Sequence, residues 1–343
     1  YSILASPVDS VLDNRGYGKS YNILNNLKSA DFDVEAYVGR NKTEVMCENV
    51  NVVSLDSDTQ LRYILDSYSR VYECLRAGKV DIYHHMHLSF RWFNPLLVTG
   101  AAENVPVLIG PVQAGHEVMP EGFKTLLDKS LGIDVPKSVS DPLYRMVKAG
   151  RSALDPLRIE LYRRTLQRAD RIVAVHREAK DHVSQFVDES KIDVVPLGVD
   201  PNEFTFRERQ RTKNLVAIGE LKRRKGFDLL LSAMERVVAD VPDVHLHIFG
   251  KGPMRSELEK QAQQNSIAAN VTFHGYVSQE TLREHLADAR AFVHPSRSES
   301  FSLVRLEAMA TGVPAIVTAT SGAAEMVRNG TDGYVLPKEN VQA

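Results

Sequence analysis

Short apolar runs alternate with amphipathic stretches from one end of the chain to the other. In the first half the apolar runs are Ser2–Ala5, Val34–Val38, Val80–Tyr83, Val107–Ile109, Arg171–Val175 and Asp193–Val195, and the spacing between them predicts helices over Tyr21–Ser29, Gln60–Arg76 and Leu157–Ala169. In the second half strands are expected at Leu215–Ile218, Val244–Phe249, Val271–Phe273, Ala291–Val293 and Ala315–Thr318. Their helices are expected at Phe227–Ala239, Met254–Asn265, Gln279–Ala287 and Ser302–Ala310. Strands apolar along nearly their whole length, each followed by a helix, predict parallel sheets covered on both faces. The alternation breaks over 112–156, where Gly, Pro and charge suit a loop or helical excursion over a site. It breaks again after Val195. The expected architecture is therefore α/β: two doubly wound parallel-sheet domains, 1–195 and 214–343, joined by 196–213 and facing each other across a cleft. Ligands of such sheets lie beyond the carboxyl ends of the strands.

Bulk numbers agree with two domains and narrow the function. A chain of 343 residues is long for one core, and 43% hydrophobic with 25% charged residues is ordinary for a globular protein. A net charge of -2 gives no general attraction to nucleic acid, and none is expected as a partner. Two cysteines, Cys47 and Cys74, exclude a disulfide framework and fit a reducing, cytoplasmic setting, although one bridge stays open. No apolar run approaches the roughly 18 residues of a membrane span. Tyr1 already stands in a strand, so residues preceding it are expected to be missing.

The most informative segment is Pro295–Pro314, where Glu299 lies in a Ser-rich turn after a strand and Glu307 lies inside the following helix. A strand–turn–helix presents backbone N–H groups that hold a phosphate, and flanking carboxylates accept hydrogen bonds from sugar and ribose hydroxyls. A helix-end reading, with Ser298, Ser300 or Ser302 as N-cap, explains Glu299 equally well. It explains Glu307 less well, because that position shares a face with Leu303 and Ala310 and needs partners once buried.

Other segments supply a site's remaining parts. Gly219 ends a strand, and Lys222, Arg223, Arg224 and Lys225 follow it before Gly226, which reads as a diphosphate clamp or a solvated basic turn. Gly16 and Gly18, after the first strand, let backbone approach a ligand, or simply make a tight turn. His85 and His87 alternate onto one face and bring metal binding to mind, but no further ligands stand at a recognisable spacing; His84 reads as a cleft residue. Gln113, His116 and Glu117 follow another strand and place polar groups toward a sugar. Arg145 to Arg168 carries seven Lys/Arg and two acids, as a solvated helix face does, or a surface for anionic lipid or an anionic acceptor.

Together these segments resemble the GT-B fold glycosyltransferases, specifically the retaining family 4 (glycosyl transferases group 1). The resemblance runs nearly end to end and is strongest over Ala169–Val175, Val195–Asp200 and Gly330–Pro337, with the Glu-x7-Glu segment as its most specific motif. Gly110-Pro-Val-Gln-Ala-Gly115 looks like a subgroup with Gly-Pro-Val-Gly-Gly-Gly in that place. The resemblance implies two Rossmann-like domains and transfer of a hexose-type sugar from a nucleoside-diphosphate sugar to an acceptor hydroxyl. The Lys/Arg excess over 145–168 adds a carbohydrate or lipid-linked acceptor and peripheral contact at the cytoplasmic membrane face as expectations. Glu307 would bind the ribose and Glu299 the donor sugar, while backbone N–H groups near Ser302, Leu303 and Val304 would meet the diphosphate. Lys225, beside Gly219, would neutralise the departing phosphate, Gly16 and Gly18 would flank the reacting centre, and Val277 would lie near the base. His84, Gln113 and His116 fall on the acceptor and sugar side. No cofactor or metal is expected, and the leaving phosphate itself would take the acceptor's proton.

The chain departs from the family in three places. Glu220 stands where members usually carry Arg, and Val112 and Gln113 stand where many carry His. Relatives also continue into helices that return to the first domain, whereas this chain stops soon after Pro337. A nucleotide-sugar epimerase of the same architecture, and a non-catalytic glycan- or partner-binding relative, are the alternatives.

Overall fold

The computed structural model describes residues 2–5, 11–12, 32–38, 40–41, 50–55, 60–86, 104–112, 137–206 and 212–342. The chain separates into two compact units with a break between Pro196 and Leu197: the first holds Tyr1–Gln113 and Met146–Pro196, the second includes Leu197–Ala343.

In the first unit seven strands form one parallel sheet: β1 (Ser2–Ala5), β2 (Asp33–Val38), β3 (Val50–Ser54), β4 (Ile82–His85), β5 (Val107–Val112), β6 (Arg171–Ala174) and β7 (Ile192–Val194). Their order is β3-β2-β1-β4-β5-β6-β7, so direction of winding reverses between β1 and β4. One face packs Leu4, Tyr83, Ile109 and Ile172 against α1 (Gln60–Arg76) through Val71 and Leu75, and against α2 (Lys137–Arg168) through Tyr162 and Leu166. The other face buries Ile3, Ala5, Val34, Ala36 and Val38. The period of two along β1 and β2 thus serves both faces.

The second unit repeats the plan. Its strands are β8 (Asn214–Ile218), β9 (His245–Phe249), β10 (Val271–Gly275), β11 (Ala291–His294), β12 (Ala315–Thr318) and β13 (Gly333–Leu336), all paired in parallel in the order β10-β9-β8-β11-β12-β13. Beneath one face α4 (Phe227–Asp240) and α5 (Arg255–Gln264) pack Leu230, Leu231 and Leu258 on Leu246 and Ile248; the short α3 (Arg177–Ser184) packs Ala179 and Val183 into the first unit's core. On the other, α6 (Gln279–Asp288) and α7 (Leu303–Ala310) bring Leu282, Leu286 and Ala308 onto Val216, Phe249 and Phe292. Winding reverses between β8 and β11, so the loops after these two strands flank the crevice where such sheets bind ligands.

Several elements differ from expectation. The helix before β6 begins at Lys137, not Leu157, and runs through Pro142 and Pro156 where the sequence predicts irregular chain. A proline removes one helical N–H, and the buried anchors Tyr162 and Leu166 hold the segment on the sheet past that loss. β3 and β13 are additional strands. Each alternates with exposed polar residues or lies at a sheet edge, so neither has a continuous apolar run. The strand expected at Val80–Tyr83 is shifted to Ile82–His85, which puts His84 inside β4.

Candidate functional site

The crevice of the second unit is built from the loops that follow β8 and β11. After β8, residues Arg223–Lys225 make one 3-10 turn, closed by Gly226 in the left-handed conformation at φ 69°. Only glycine fits there. A Cβ at Gly226 would stand 2.0 Å from the Pro295 carbonyl oxygen, so the two loops touch backbone to backbone. Gly226→Ala is therefore expected to lower unfolding free energy by at least about 1–3 kcal/mol, the usual cost of a strained backbone. Calorimetry on the full chain checks this; an unchanged midpoint would show that the loops are not locked at Pro295.

A second lock is ionic. Arg297 makes a bidentate pair with Asp228, at 2.7 and 2.8 Å, and also donates to the Arg223 carbonyl at 2.8 Å. The backbone N–H of Arg297 donates to the Arg224 carbonyl at 2.8 Å. The Asp228 partnership, strengthened by Glu339, raises the Arg297 pKa above its ordinary value, while Asp228, although burial pushes it up, is held below the carboxylate range by Arg297. Turn 223–226 is thus fixed on turn 295–299 by both main chain and charge.

This locking brings Lys225 and Glu299 together: the Lys225 Nζ donates to Glu299 Oε2, and both side chains are largely buried. Arg224 Nη1 lies 3.6 Å from the same oxygen, and the fully buried His294 presents Nε2 at 3.8 Å. Burial pushes the Glu299 carboxyl up, but Lys225 and Arg224 outweigh it and leave the group below its ordinary value, hence ionised. Burial lowers Lys225 against the opposing pull of Glu299. Burial, followed by the charges of Lys225, Arg305 and Arg224, keeps His294 neutral. Gly219 lies under this pair, since a Cβ there would come 3.6 Å from the Lys225 Cδ.

The helix α7 starts at the same place. Ser302 is its N-cap, its Oγ accepting from the Arg305 N–H at 3.4 Å, so of the three candidate serines it is the one that caps. The N–H groups of Leu303 and Val304, in the first turn, have no intrahelical acceptor. Arg305 is fully buried under this turn and donates to Thr320 Oγ1 at 3.2 Å. Its charge is the third cation around Glu299. One turn further, Glu307 is half-buried; burial, with the Glu203 carboxylate second, raises its pKa to about 7. The helix-end reading therefore fails for Glu307, which lies beyond the first turn and has no cation beside it among the causes of its shift.

Of the remaining predicted residues, Val277 belongs to the second unit, His84 to the first, and the others lie outside the described residues. Val277 follows β10 and packs, partly buried, against the core cluster that includes Phe249 and Leu282. In the first unit His84 Nε2 lies 2.9 Å from the Gly110 carbonyl oxygen, bonded across β4 and β5; burial lowers its pKa to about 4. His85 is buried against the Tyr83 hydroxyl at 2.9 Å. Gly16, Gly18, Gln113 and His116 lie outside the described residues. Glu220, in place of the family arginine, binds Lys222 at 2.7 Å, which leaves Arg224 as the loop cation nearest Glu299 after Lys225. Arg224 stands in the basic run, but Arg297, Asp228, His294 and Arg305 carry no local sequence signal, because each acquires its meaning from a partner distant in the chain.

Two Rossmann-like parallel sheets, the second carrying a cationic turn, a carboxylate and a capped helix at its own crevice, define an α/β protein of GT-B type. The family model of glycosyltransferase family 4 matches residues 20–203, and that of glycosyl transferases group 1 matches 200–343. The chain belongs to glycosyltransferase family 4. It is 30% identical over 184 residues to an uncharacterized glycosyltransferase of Methanocaldococcus jannaschii, covering 49% of this chain and 47% of that protein. It is 32% identical over 194 residues to a GDP-mannose-dependent alpha-(1-6)-phosphatidylinositol monomannoside mannosyltransferase of Mycolicibacterium smegmatis, covering 51% of each. The chain thus spans about half the length of the curated relatives it matches. Among solved structures, the sucrose-phosphate synthase of Thermosynechococcus elongatus superposes with a TM-score of 0.67 at 19% identity, covering 100% of this chain and 87% of that one, which speaks for the fold. No helix among the described residues is long and apolar enough to cross a membrane.

Proposed function

We propose that this protein is a retaining glycosyltransferase that moves a hexose-type sugar from a nucleoside-diphosphate donor to an acceptor hydroxyl. The observation that carries the reading is Lys225, held at Glu299 beside the N-terminus of α7. A diphosphate seated on the Leu303 and Val304 N–H groups meets the helix's positive end and the Lys225 ammonium together. As the anomeric bond breaks, negative charge grows on the leaving phosphate, and these fixed donors stabilise that charge more than the ground state. Glu299 accepts from the sugar's hydroxyls and orients the lysine. The phosphate oxygen takes the acceptor's proton, so no side-chain base is assigned. Cationic side chains supply the neutralisation, and the donor step uses no metal.

Glu307 takes the ribose, and its environment makes binding pH-dependent. Two ribose hydroxyls donate best to an ionised carboxylate. In the ligand-free protein that carboxyl titrates at about 7. Donor binding below that pH must release a proton and should weaken as pH falls from 8 to 6. Calorimetry of nucleotide binding in buffers of different ionisation enthalpy reads the released proton directly; buffer-independent heats would move the ribose away from Glu307.

The Mycolicibacterium relative supports a nucleotide-sugar donor and a lipid-linked or carbohydrate acceptor. The Lys/Arg excess over 145–168 is consistent with peripheral contact with an anionic membrane surface. A thermal-shift panel of UDP-, GDP-, ADP- and TDP-sugars identifies the donor, since a ligand bound only by the folded state raises the midpoint by mass action.

A further inference from the structure

Three imidazoles meet on one face of the second unit's sheet, on the two strands at its β10 edge. Along β9, Leu246 and Ile248 enter the core under α4 and α5, so His245, His247 and Phe249 face the other way, toward α6. His274 stands near the end of β10, at the point where its register with β9 shifts. His285 comes from α6. His247 Nδ1 and His274 Nε2 lie 2.8 Å apart. The ring centroids of His247 are 5.1 Å from those of His274 and His285, and the last two are 5.0 Å apart. One ring nitrogen from each residue falls within 4.8 Å of the other two.

Each ring is also held in place. His285 Nδ1 donates to the Thr281 carbonyl at 2.9 Å, since a carbonyl can only accept, and this leaves Nε2 with the lone pair. Metal-binding histidines are oriented in this way, by a carbonyl on the far ring nitrogen. Phe249 stacks on His274 with centroids 4.4 Å apart and planes at 8°. All three histidines are half-buried, leaving an ion a route from solvent. Arg255, the nearest cation acting on His274, is ion-paired with Glu259. His245 is not part of the group, because its Nε2 is engaged with Thr272 Oγ1 at 2.8 Å.

We propose that His247, His274 and His285 form a three-histidine site for a divalent transition metal, with Zn2+ as its ion, that ties α6 to β9 and β10. Imidazole nitrogen suits Zn2+, and three protein ligands leave a fourth position for water. Zn–N distances of about 2.0–2.1 Å in a tetrahedron place ligand nitrogens about 3.3 Å apart. The His247–His274 pair opens slightly to meet this, and His285 closes in. The proton now shared between those two rings moves to the far nitrogen of the ring that carries it, so both lone pairs turn to the ion and no proton is lost. Because His274 directly precedes Gly275, whose carbonyl accepts from Gly250 N–H at 2.7 Å, the ion would stiffen the end of β10 leading to Val277.

The test uses the full chain, stripped with a chelator and titrated with Co2+ and then Zn2+. One equivalent of Co2+ should bind with the intense visible absorption of a tetrahedral site, be displaced by Zn2+, and Zn2+ should raise the thermal midpoint. His285→Gln and His274→Gln should each weaken Zn2+ binding at least about tenfold and abolish the absorption. The chelated His285→Gln protein should melt near the chelated wild type, which shows that it folds. Wild type that takes up no stoichiometric ion, or binding undiminished in both variants, would overturn the proposal. The readout is ion binding, not sugar transfer, so this site stands or falls separately from the transferase reading.

Discussion

Replacing Lys225 with alanine should lower kcat by about 100- to 1,000-fold, the usual cost of removing one donor aimed at developing charge. That corresponds to about 2.7–4 kcal/mol of transition-state stabilisation. The loss should appear in kcat more than in KM, because charge on the leaving phosphate grows only as the anomeric bond breaks. Lys225 also neutralises Glu299, which is buried with it. Removing the ammonium leaves that carboxylate to Arg224, at 3.6 Å, and the charge of Arg305, so some stability is lost as well. Lys225→Arg separates the two effects, since it keeps the charge but changes the geometry. An Ala variant with wild-type kcat would transfer the phosphate role to Arg224.

Glu307→Ala should abolish detectable transfer at ordinary donor concentrations and yet leave a protein at least as stable near pH 8. The two halves of this prediction have one cause. Burial raises the Glu307 pKa from 4.5 to about 7, so the folded state binds its proton more tightly than the unfolded chain. Its contribution to stability is complete below about pH 4.5 and is lost as pH rises through about 7. Above that pH the wild type holds a desolvated carboxylate that no fold-stabilising role requires. A stability–pH curve for the variant should lack the decline between 4.5 and 7 that this group gives the wild type. A destabilised variant with intact donor binding would make Glu307 a structural residue.

Fold was legible where apolar residues run consecutively. β8, β9, β11 and β12 bury residues on both faces and announce themselves as runs. β3 at a sheet edge has only Val50 fully buried, so its signal is weak. The helix over Lys137–Arg168 was hidden by Pro142 and Pro156, because local breaker rules do not weigh the tertiary anchors Tyr162 and Leu166. Lys225 is one of four basic residues in a run and only the family resemblance singles it out, whereas Glu299, Glu307 and Gly219 could be named from their places at strand ends and in helix turns. Their electrostatic setting could not. Asp228 and Arg297 are 69 positions apart, and Arg224 meets Glu299 only because Gly226 lets two backbones touch. The histidines show the same limit from the other side. His84, His85 and His87 draw attention by adjacency, but the rings that converge among the described residues are His247, His274 and His285, brought together from two strands and a helix.

The most direct test of the central claim is the configuration of the sugar released from the donor that the thermal-shift panel selects. Proton NMR of the wild-type reaction, followed from the first turnovers, resolves the anomer before mutarotation mixes it. The account predicts a product with the donor's own anomeric configuration, formed together with one equivalent of nucleoside diphosphate. An inverted anomer, or an epimerised nucleotide sugar formed without any acceptor, would contradict it.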